Sequence, residues 1–406
     1  MQTSFDAVIV GGGPAGSTAA ILLAQAGWRV ALIEKQRFPR RKVCGECLAA
    51  SNLPLLEALG VGAAFAVTCG PELRQVALMR GERSVVADLP PAADSSYRWG
   101  RSLGRETLDS LLLEQAHRSG VQVMQPWSVR SVDGGPGAWR CDIRAVDSKE
   151  LLSLRAAVAV DAHGSWEAMP GERTHLSCSG SDLLAFKANF LGSSLKPGLL
   201  PVLSFDGGYG GMVLADQGML TVACCVRRDQ VMALRRAAPG LSAGEAVQAM
   251  LQQQCSGVRL ALQDARRIGP WLAAGPLAPG IRLHPDDQAF RIGNAAAEAH
   301  PIIGEGMSMA FQSAWLLCAH LLGAGDRRKN AADVTWQRAV GQRYAADWHR
   351  QFSLRLRLAS AFAHLAMRPG FASPLLALVR AWPGLLPLGA KWGGKTRFIS
   401  TTWSST

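Results

Sequence analysis

Three glycines near the start of the chain have the spacing of a phosphate-binding turn. Gly11, Gly13 and Gly16 follow an apolar run at residues 5–10, which predicts a buried parallel strand. Gly11 would allow the tight turn out of the strand, Gly13 would let the backbone approach a pyrophosphate, and Gly16 would let a helix pack closely on the sheet. Glu34 ends a second predicted strand, and its carboxylate can accept hydrogen bonds from a ribose. These elements, in this order, predict a dinucleotide site.

The pattern of apolar residues also predicts the helices and strands that position this turn. A helix is predicted from about residue 14 to residue 26, and its N-terminal amides would point at the phosphates. The second strand is predicted at residues 29–33. Farther along, helices are predicted near 52–59, 105–119, 243–255 and 306–322, and strands near 73–89, 121–160, 180–226 and 290–292.

This order predicts an α/β fold: a Rossmann-like nucleotide-binding domain with an inserted β-rich substrate domain and a helical C-terminal region. The predicted nucleotide-binding domain is discontinuous and comprises residues 1–69, 101–170 and 281–325. Residues 70–100 and 171–280 form the predicted substrate domain, and residues 326–406 form a basic helical region. In the substrate domain, the candidate pocket-lining residues are Phe186, Phe190, Phe205, Tyr209 and Met212.

Composition limits the class of protein. With 406 residues, 48% of them hydrophobic and 18% charged, we expect a globular chain with two or three core units. Because only four residues precede the first predicted strand, we expect no signal peptide. The nine cysteines follow no regular spacing, so we expect no disulfide framework and a cytoplasmic location.

The end of the chain is basic and apolar. Residues 350–406 contain eight Lys or Arg residues and no Asp or Glu, against a net charge of +12 for the whole chain. Arg380 and three prolines interrupt the apolar stretch, so no bilayer-spanning helix is expected. Two interpretations of this region stay open. In the first, it docks either to the inner face of an anionic membrane or to an acidic carrier protein. In the second, it is a helical cap over the core with a solvated basic face. Nucleic-acid binding is not expected, because stacking aromatics and reading motifs are missing.

Two distant segments complete a family pattern. They are VAVDAHGSW at 158–166 and FRIGNAAAEAHPIIGEGMSMAFQSAWLL at 290–317. Together with GRETLD at 104–109 and the N-terminal turn, they resemble the p-hydroxybenzoate-hydroxylase-like superfamily of FAD-dependent oxidoreductases. That group includes aromatic and quinone-pathway hydroxylases, geranylgeranyl reductases and flavin halogenases. The resemblance covers residues 5–325 and implies that the N-terminal turn holds the ADP half of FAD.

The resemblance also implies a set of cofactor contacts. Asn294 stands where the family has an acid that binds the ribityl chain, and its amide can still hydrogen-bond the ribityl hydroxyls. The helix beginning at Gly306 would place free amides beside the flavin pyrimidine, where they stabilise negative charge on reduced flavin. The implied FAD-binding residues are Gly11, Gly13, Pro14, Ala15, Gly16, Glu34, Lys35, Arg41, Lys42, Cys44, Arg105, Asn294, Gly304, Gly306 and Met307.

Cysteine and histidine supply the catalytic candidates. Cys44 lies in a segment that resembles one found beside the isoalloxazine in reductases and halogenases. It also forms a CxxC with Cys47, which leaves open either a redox-active dithiol or an incidental second cysteine. No metal site is predicted, since there is no second CxxC. His300 is the candidate for proton handling, whereas His163 is either a catalytic group or a structural histidine.

Three functions remain open on the sequence. In the leading hypothesis, reduced FAD takes up O₂ and a C4a-hydroperoxide hydroxylates an aromatic or lipophilic substrate, free or carrier-bound. NAD(P)H is the candidate electron donor, although the altered family pair at residues 161–164 puts it in doubt. The second is a reductase of hydrophobic double bonds, although the segment at 208–218 lacks the reductase Trp and Pro. The third is a non-catalytic flavin-bearing subunit that docks to a membrane or carrier. The halogenase W-x-W-x-I-P motif is absent, so halide chemistry is not expected.

Overall fold

The computed structural model describes residues 2–92, 96–165, 179–323 and 330–367, together with residues 381, 382 and 384. The strands are β1 (Ser4–Val10), β2 (Val30–Ile33), β3 (Cys47–Leu48), β4 (Gln75–Arg80), β5 (Arg83–Asp88), β6 (Arg101–Ser102), β7 (Gln122–Met124), β8 (Trp127–Asp133), β9 (Trp139–Ala145), β10 (Leu151–Asp161), β11 (Leu183–Leu191), β12 (Leu199–Phe205), β13 (Gly208–Leu214), β14 (Leu220–Arg227), β15 (Arg266–Ala274), β16 (Gly280–Ile281), β17 (Phe290–Arg291) and β18 (Ala297–Glu298). The helices are α1 (Pro14–Gln25), α2 (Leu53–Ala58), α3 (Gly62–Thr68), α4 (Arg105–Arg118), α5 (Arg228–Ala237), α6 (Ala243–Gln254), α7 (Ser256–Ala261), α8 (Gly306–Leu322) and α9 (Val334–Ala366).

The first sheet contains the strands on either side of the glycine turn. Its order is β7-β2-β1-β10-β9-β8, and β17 also pairs with β10. β7, β2, β1, β10 and β17 run parallel, whereas β9 and β8 are antiparallel. β1 is buried from Phe5 to Ile9, as expected for a parallel strand covered on both faces. Val10 pairs with Asp161, so the turn after β1 lies beside the segment after β10.

The second sheet is formed by residues from the predicted substrate domain. Its order is β15-β11-β14-β13-β12-β4-β5. The pairs are antiparallel except β12 with β4, which are parallel. The sheet therefore has two distinct faces, one against helices α6 and α7 and one toward the cofactor-binding segments.

Two long helices complete the core. α8 contacts α1, and α9 contacts α8. Tyr344, Trp348 and Phe352 on α9 are fully buried, and their spacing of four residues places them on one face of the helix. Within the ranges that the structure describes, no helix combines the length and the apolar character needed to cross a membrane.

The fold class predicted from the sequence is confirmed. The predicted helices at 14–26, 105–119, 243–255 and 306–322 are present as α1, α4, α6 and α8, with ends within one residue. The domain boundaries stay a prediction. Residues 368–380 and 385–406, which hold most of the basic apolar tail, lie outside the described residues.

Candidate active site

The glycine turn has no room for side chains at two positions. Gly11 has a φ of +107°, and a Cβ placed there would lie 2.4 Å from the carbonyl oxygen of Ala162. A Cβ on Gly16 would lie 1.8 Å from the carbonyl oxygen of Gly11. The turn and the first residues of α1 therefore depend on the absence of a Cβ. Gly13 differs, because its Cβ position is open and faces two arginines.

Cationic side chains surround the open side of this turn. From the Cβ position of Gly13, a guanidinium nitrogen of Arg40 is 3.7 Å away and one of Arg105 is 3.9 Å away. Lys42 lies close by, and burial together with Arg105 and Arg40 lowers the pKa of Lys42 to about 8. Three cationic side chains next to an open glycine match the negative charge of a diphosphate. The FAD diphosphate fits this position. Arg40 was missed in the sequence; its signal was the basic run at 40–42.

The remaining basic candidates lie elsewhere. Arg41 extends to the second sheet, where its guanidinium donates to Asn189 at 3.0 Å and to the carbonyl oxygen of Pro270 at 3.3 Å. Lys35 is exposed after β2. In this structure, Arg40 rather than Arg41 is therefore the arginine at the glycine turn, because Arg41 is engaged by the second sheet.

Glu34 is buried at the end of β2 and supports the turn directly. Its carboxylate accepts hydrogen bonds from the backbone N–H of Gly12 at 2.9 Å and of Gln36 at 2.7 Å. It also pairs with Arg40 at 3.1 Å. Glu34 thus orders the turn and the basic segment, and the predicted contact with a ribose stays a prediction.

Arg105 begins α4 and is buried. Its guanidinium forms two hydrogen bonds of 2.7 Å with Asp109, one turn along the helix. The bidentate pair fixes the guanidinium plane beside Gly13 and Cys44. The geometry fits the predicted cofactor contact without testing it.

The CxxC segment contains two free thiols with different partners. Cys44 accepts a hydrogen bond from the backbone N–H of Glu46 at 3.3 Å. Cys47 belongs to β3, and its thiol donates to the carbonyl oxygen of Gly45 at 3.3 Å. The structure therefore holds the pair as separate thiols, and dithiol chemistry stays an open hypothesis.

Glu46 joins this segment to the second sheet. Its backbone is left-handed, with a φ of 59°, and its side chain is buried. The carboxylate contacts the ammonium of Lys187 on β11 and the hydroxyl of Thr221 on β14. It also accepts the backbone N–H of Arg105 at 2.8 Å. Lys187 was missed in the sequence, although a single charged residue inside an apolar strand was the available signal.

The segment that resembles the ribityl motif forms a second polar group. The side-chain amide of Asn294 donates to the hydroxyl of Ser165 at 2.5 Å, and the backbone carbonyl oxygen of Asn294 accepts a hydrogen bond from Arg282 at 2.8 Å. Arg282 also pairs with the buried Glu298 at 3.2 Å. Burial raises the pKa of Glu298. Asn294 thus lies at the end of β17, beside the segment after β10, where the resemblance implies the ribityl chain.

Gly304 and Gly306 border open space. No atom lies within 4 Å of a Cβ placed on either residue, and Gly304 has a φ of 65°. α8 begins at Gly306, so its first amides face this space. The side chain of Met307 is buried in the main core, which leaves only its backbone for a cofactor contact. The resemblance implies the anionic edge of the flavin ring at this position, and that contact stays a prediction.

His300 forms a buried pair with Tyr209. The Tyr209 hydroxyl and Nδ1 of His300 are 2.7 Å apart, and both residues are buried. Burial raises the pKa of Tyr209 well above its usual value, and Cys225 and Glu298 add to this rise. Tyr209 therefore keeps its proton across the physiological pH range.

Tyr209 is the one predicted pocket residue on this face of the second sheet. The other four candidates belong to the hydrophobic core, as most apolar residues of a strand do. Their side chains pack into the core formed with α6 and α7; they are Phe186, Phe190, Phe205 and Met212. Tyr209 instead packs with Cys225 and with Ala363 of α9. Successive side chains of a strand point to opposite faces of the sheet. When both faces are buried, both carry apolar residues, so the sequence does not show which residues face the cofactor and which face the core.

His163 has a structural partner. Its Nδ1 contacts the carboxylate of Asp161, which is buried at the end of β10. This contact fixes the loop after β10 beside Gly11. Of the two histidines considered, His300 is the one paired with a buried proton donor.

Comparisons with known proteins agree with these features. The sequence profile of the FAD binding domain family matches residues 4–182. Menaquinone reductase of Mycobacterium tuberculosis is 26% identical over 88% of this chain and 84% of that protein. Kynurenine 3-monooxygenase of Stenotrophomonas maltophilia is 25% identical over 78% of this chain and 72% of that protein. The 1H-pyrrole-2-carbonyl-[peptidyl-carrier protein] chlorinase of Pseudomonas fluorescens is 31% identical, but over only 39% of each chain.

Solved structures show the same fold. The myxobacterial chondrochloren halogenase has a TM-score of 0.75 at 21% identity, covering 100% of this chain and 93% of that one. A geranylgeranyl bacteriochlorophyll reductase-like protein of Thermoplasma acidophilum has a TM-score of 0.68 at 17% identity, covering 96% of this chain and 99% of that one.

Proposed function

We propose that this chain, which belongs to the p-hydroxybenzoate-hydroxylase-like superfamily of FAD-dependent oxidoreductases, is a monooxygenase of an aromatic or lipophilic small molecule. The observation that carries the proposal is the buried pair of Tyr209 and His300. It lies on the face of the second sheet toward the segments at which FAD fits. Kynurenine 3-monooxygenase, aligned over most of this chain, supports the same reaction class.

Monooxygenation places a specific demand on the protein. Bound FAD would supply the two-electron redox chemistry and, when reduced, the reaction with O₂. One oxygen atom enters the substrate and the other becomes water, so a proton must arrive in a site that excludes bulk water. The Tyr209 hydroxyl would supply this proton, because it is buried and lies 2.7 Å from Nδ1 of His300. His300, 2.7 Å away, can replace that proton after transfer.

The protein would hold FAD at three places. Arg40, Lys42 and Arg105 would face the diphosphate, Asn294 the ribityl chain, and the amides from Gly304 to Gly306 the anionic edge of the ring. The buried face near Tyr209 would exclude water from the reacting side. The proposal includes NAD(P)H as the electron donor. It also includes an aromatic or lipophilic substrate, either free or bound to a carrier protein. The similar chlorinase is named for a carrier-bound pyrrole substrate.

A reductase of hydrophobic double bonds is the second candidate, favoured by the alignment with menaquinone reductase. Proton donation by Tyr209 would serve that reaction too. The sheet itself favours the first candidate, because β13 has Gly211 where the reductase pattern has Trp. A Cβ at Gly211 would lie 3.1 Å from the carbonyl oxygen of Pro201, so a larger residue would need β12 to move. The non-catalytic subunit is not proposed, since the similar halogenases, monooxygenases and reductases are flavoprotein enzymes.

The test is the fate of oxygen. Holoenzyme reduced anaerobically with NADPH, NADH or dithionite is mixed with ¹⁸O₂ and a panel of phenols, quinols and prenylated quinones. A hydroxylated product carrying ¹⁸O is expected. A saturated product formed without O₂, and no ¹⁸O-labelled product, would refute monooxygenation and establish the reductase.

Tyr209→Phe tests the proton donor separately. We expect product formation to fall by about 10²-fold or more, the usual range for a general acid. Flavin reduction should stay unchanged and H₂O₂ release should rise. Tyr97→Phe, which removes a hydroxyl bonded to Glu57 on another surface, is the matched control. Equal product yields from Tyr209→Phe and the wild type would show that the pair has no catalytic role.

A further inference from the structure

We infer that the outer face of α9 binds the surface of an anionic lipid bilayer, through an apolar ridge flanked by arginines. The ridge is formed by Leu354, Leu358 and Phe362, and the flanking cations are Arg350 and Arg357. The helix would lie in the plane of the membrane interface, with the ridge among the headgroups and upper acyl chains. This inference goes beyond the proposed function.

The two faces of α9 differ in what they contact. The inner face buries Tyr344, Trp348 and Phe352 in the main core. On the outer face, Leu354 is 66% exposed and Leu358 is 44% exposed. A helix that packs against a core on one side normally carries polar residues on the other side. The packing of the core therefore does not explain the outer leucines.

The exposed apolar side chains form a continuous ridge. Leu354, Leu358 and Phe362 are spaced four residues apart, so they follow one another along one line of the helix. Phe362 is 38% exposed. Single apolar residues are ordinary on a protein surface, whereas a contiguous group of them marks an interaction site. The ridge is therefore a candidate contact surface.

Basic side chains accompany this ridge. Arg350 lies one turn before Leu354, and 75% of its side chain is exposed. Arg357 lies beside the ridge and is also exposed. Asp347, which is 27% exposed, pairs with Arg350 at 2.7 Å, and residues 348–406 of the sequence contain no Asp or Glu. Cations beside an apolar line match the anionic headgroups and the acyl chains of a membrane.

A lipid surface fits this ridge better than an acidic protein does. The ridge projects from a helix and is convex, so a protein partner would need a groove of matching shape and carboxylates placed opposite both arginines. A bilayer needs neither, because its headgroups and acyl chains adapt to the side chains that enter it. The observations therefore favour an anionic bilayer as the partner.

The inner face of the same helix packs beside the predicted proton donor. Ala363 of α9 is fully buried and packs with Tyr209 and Cys225. An α-helix with its side chains is about 10 Å across, so Tyr209 would lie about one helix diameter from the bound lipid. Binding through the outer face would therefore bring lipophilic molecules close to the buried pair of Tyr209 and His300.

Vesicle co-sedimentation of the full-length holoenzyme tests the inference. Vesicles with equal parts of phosphatidylglycerol and phosphatidylcholine are compared with vesicles of phosphatidylcholine alone. We expect binding to the mixed vesicles to be at least about tenfold tighter, and to weaken as ionic strength rises from about 0.1 M to about 1 M. The double substitution Leu354→Gln and Leu358→Gln should weaken this binding about tenfold or more. Arg357→Gln should weaken it about fivefold.

A matched control changes two leucines that are exposed elsewhere. Leu151 in β10 is 68% exposed and Leu260 in α7 is 60% exposed. The double substitution Leu151→Gln and Leu260→Gln should bind the mixed vesicles as the wild type does. Both double variants should keep their FAD and the urea midpoint of the wild type, because the substituted side chains are on the surface.

Several outcomes would overturn the inference. They are no binding of the wild type to mixed vesicles, equal binding to both kinds of vesicle, and wild-type binding by Leu354→Gln with Leu358→Gln. A lower urea midpoint of that variant, without vesicle binding by the wild type, would show that the folded chain itself covers the ridge. If the variant loses binding to an acidic acyl carrier protein, or loses dimerisation, the ridge belongs to that protein or to a second copy. The assay involves no turnover, so its failure is separate from failure of the proposed reaction.

Discussion

The buried contact between Lys187 and Glu46 should be essential for joining the CxxC segment to the second sheet. Each side chain is 1% exposed. Lys187→Met would leave the Glu46 carboxylate with the Thr221 hydroxyl and the Arg105 N–H, without a counter-ion on the second sheet. Removing one member of a buried ion pair costs about 3–5 kcal/mol of unfolding free energy, because the remaining charge is desolvated without compensation.

A second substitution tests that cause. Adding Glu46→Gln to Lys187→Met removes the buried carboxylate charge that has lost its counter-ion. The glutamine side-chain carbonyl can still accept a hydrogen bond. We expect the double variant to regain about 2 kcal/mol relative to Lys187→Met alone, which is a coupling of the size found for contacting residues. Lys196→Met is the matched control, since Lys196 is exposed and its change should cost less than about 0.5 kcal/mol.

Urea unfolding, followed in parallel by tryptophan fluorescence and far-ultraviolet circular dichroism, supplies the measurement. Coincident transitions are required before free energies are compared. FAD affinity should fall with Lys187→Met as well, because Glu46 anchors the segment that carries Cys44. A loss below about 1 kcal/mol for Lys187→Met, or additive losses in the double variant, would refute the reasoning.

Three further predictions concern the cofactor segments. Because the pKa of Lys42 is lowered to about 8 from 10.5, the folded FAD-free protein loses this proton before the unfolded chain does. Its stability should therefore rise by about 3 kcal/mol between pH 8 and pH 10.5, and Lys42→Met should abolish the rise in urea titrations at each pH. FAD affinity should fall between pH 8 and pH 10.5 in the wild type but not in Lys42→Met. Parallel pH profiles of FAD affinity for the two proteins would contradict this prediction. Gly16→Ala should abolish FAD retention on gel filtration, since its Cβ would lie 1.8 Å from a carbonyl oxygen; a yellow variant would disprove the close packing. Cys47→Ser should leave the rate of flavin reduction unchanged. If the variant instead takes up two electrons fewer than the wild type in an anaerobic titration, Cys44 and Cys47 form a redox-active dithiol.

The glycine turn and its flanking elements could be predicted from the sequence because their causes are local. A Cβ at Gly11 or Gly16 would collide with backbone less than 3 Å away, so residue type and spacing alone identify the turn. The bounds of α8 could also be predicted from the sequence, and the structure matches them. The motifs also identified the superfamily and FAD, since they combine such local requirements in a fixed order.

The contacts that the proposed chemistry needs depend on tertiary structure. Tyr209 and His300 are 91 residues apart, and Lys187 and Glu46 are 141 apart. Local pattern carries no information about such pairs. β13 is apolar on both faces, so its sequence could not tell that Tyr209 faces His300 while Met212 faces the α6–α7 core. The sequence by itself determined the glycine turn at which a dinucleotide is predicted to bind, through backbone sterics. Only the tertiary contacts between the second sheet and the cofactor-binding segments decided which side chains meet there, because long-range pairing depends on complementary faces rather than on spacing.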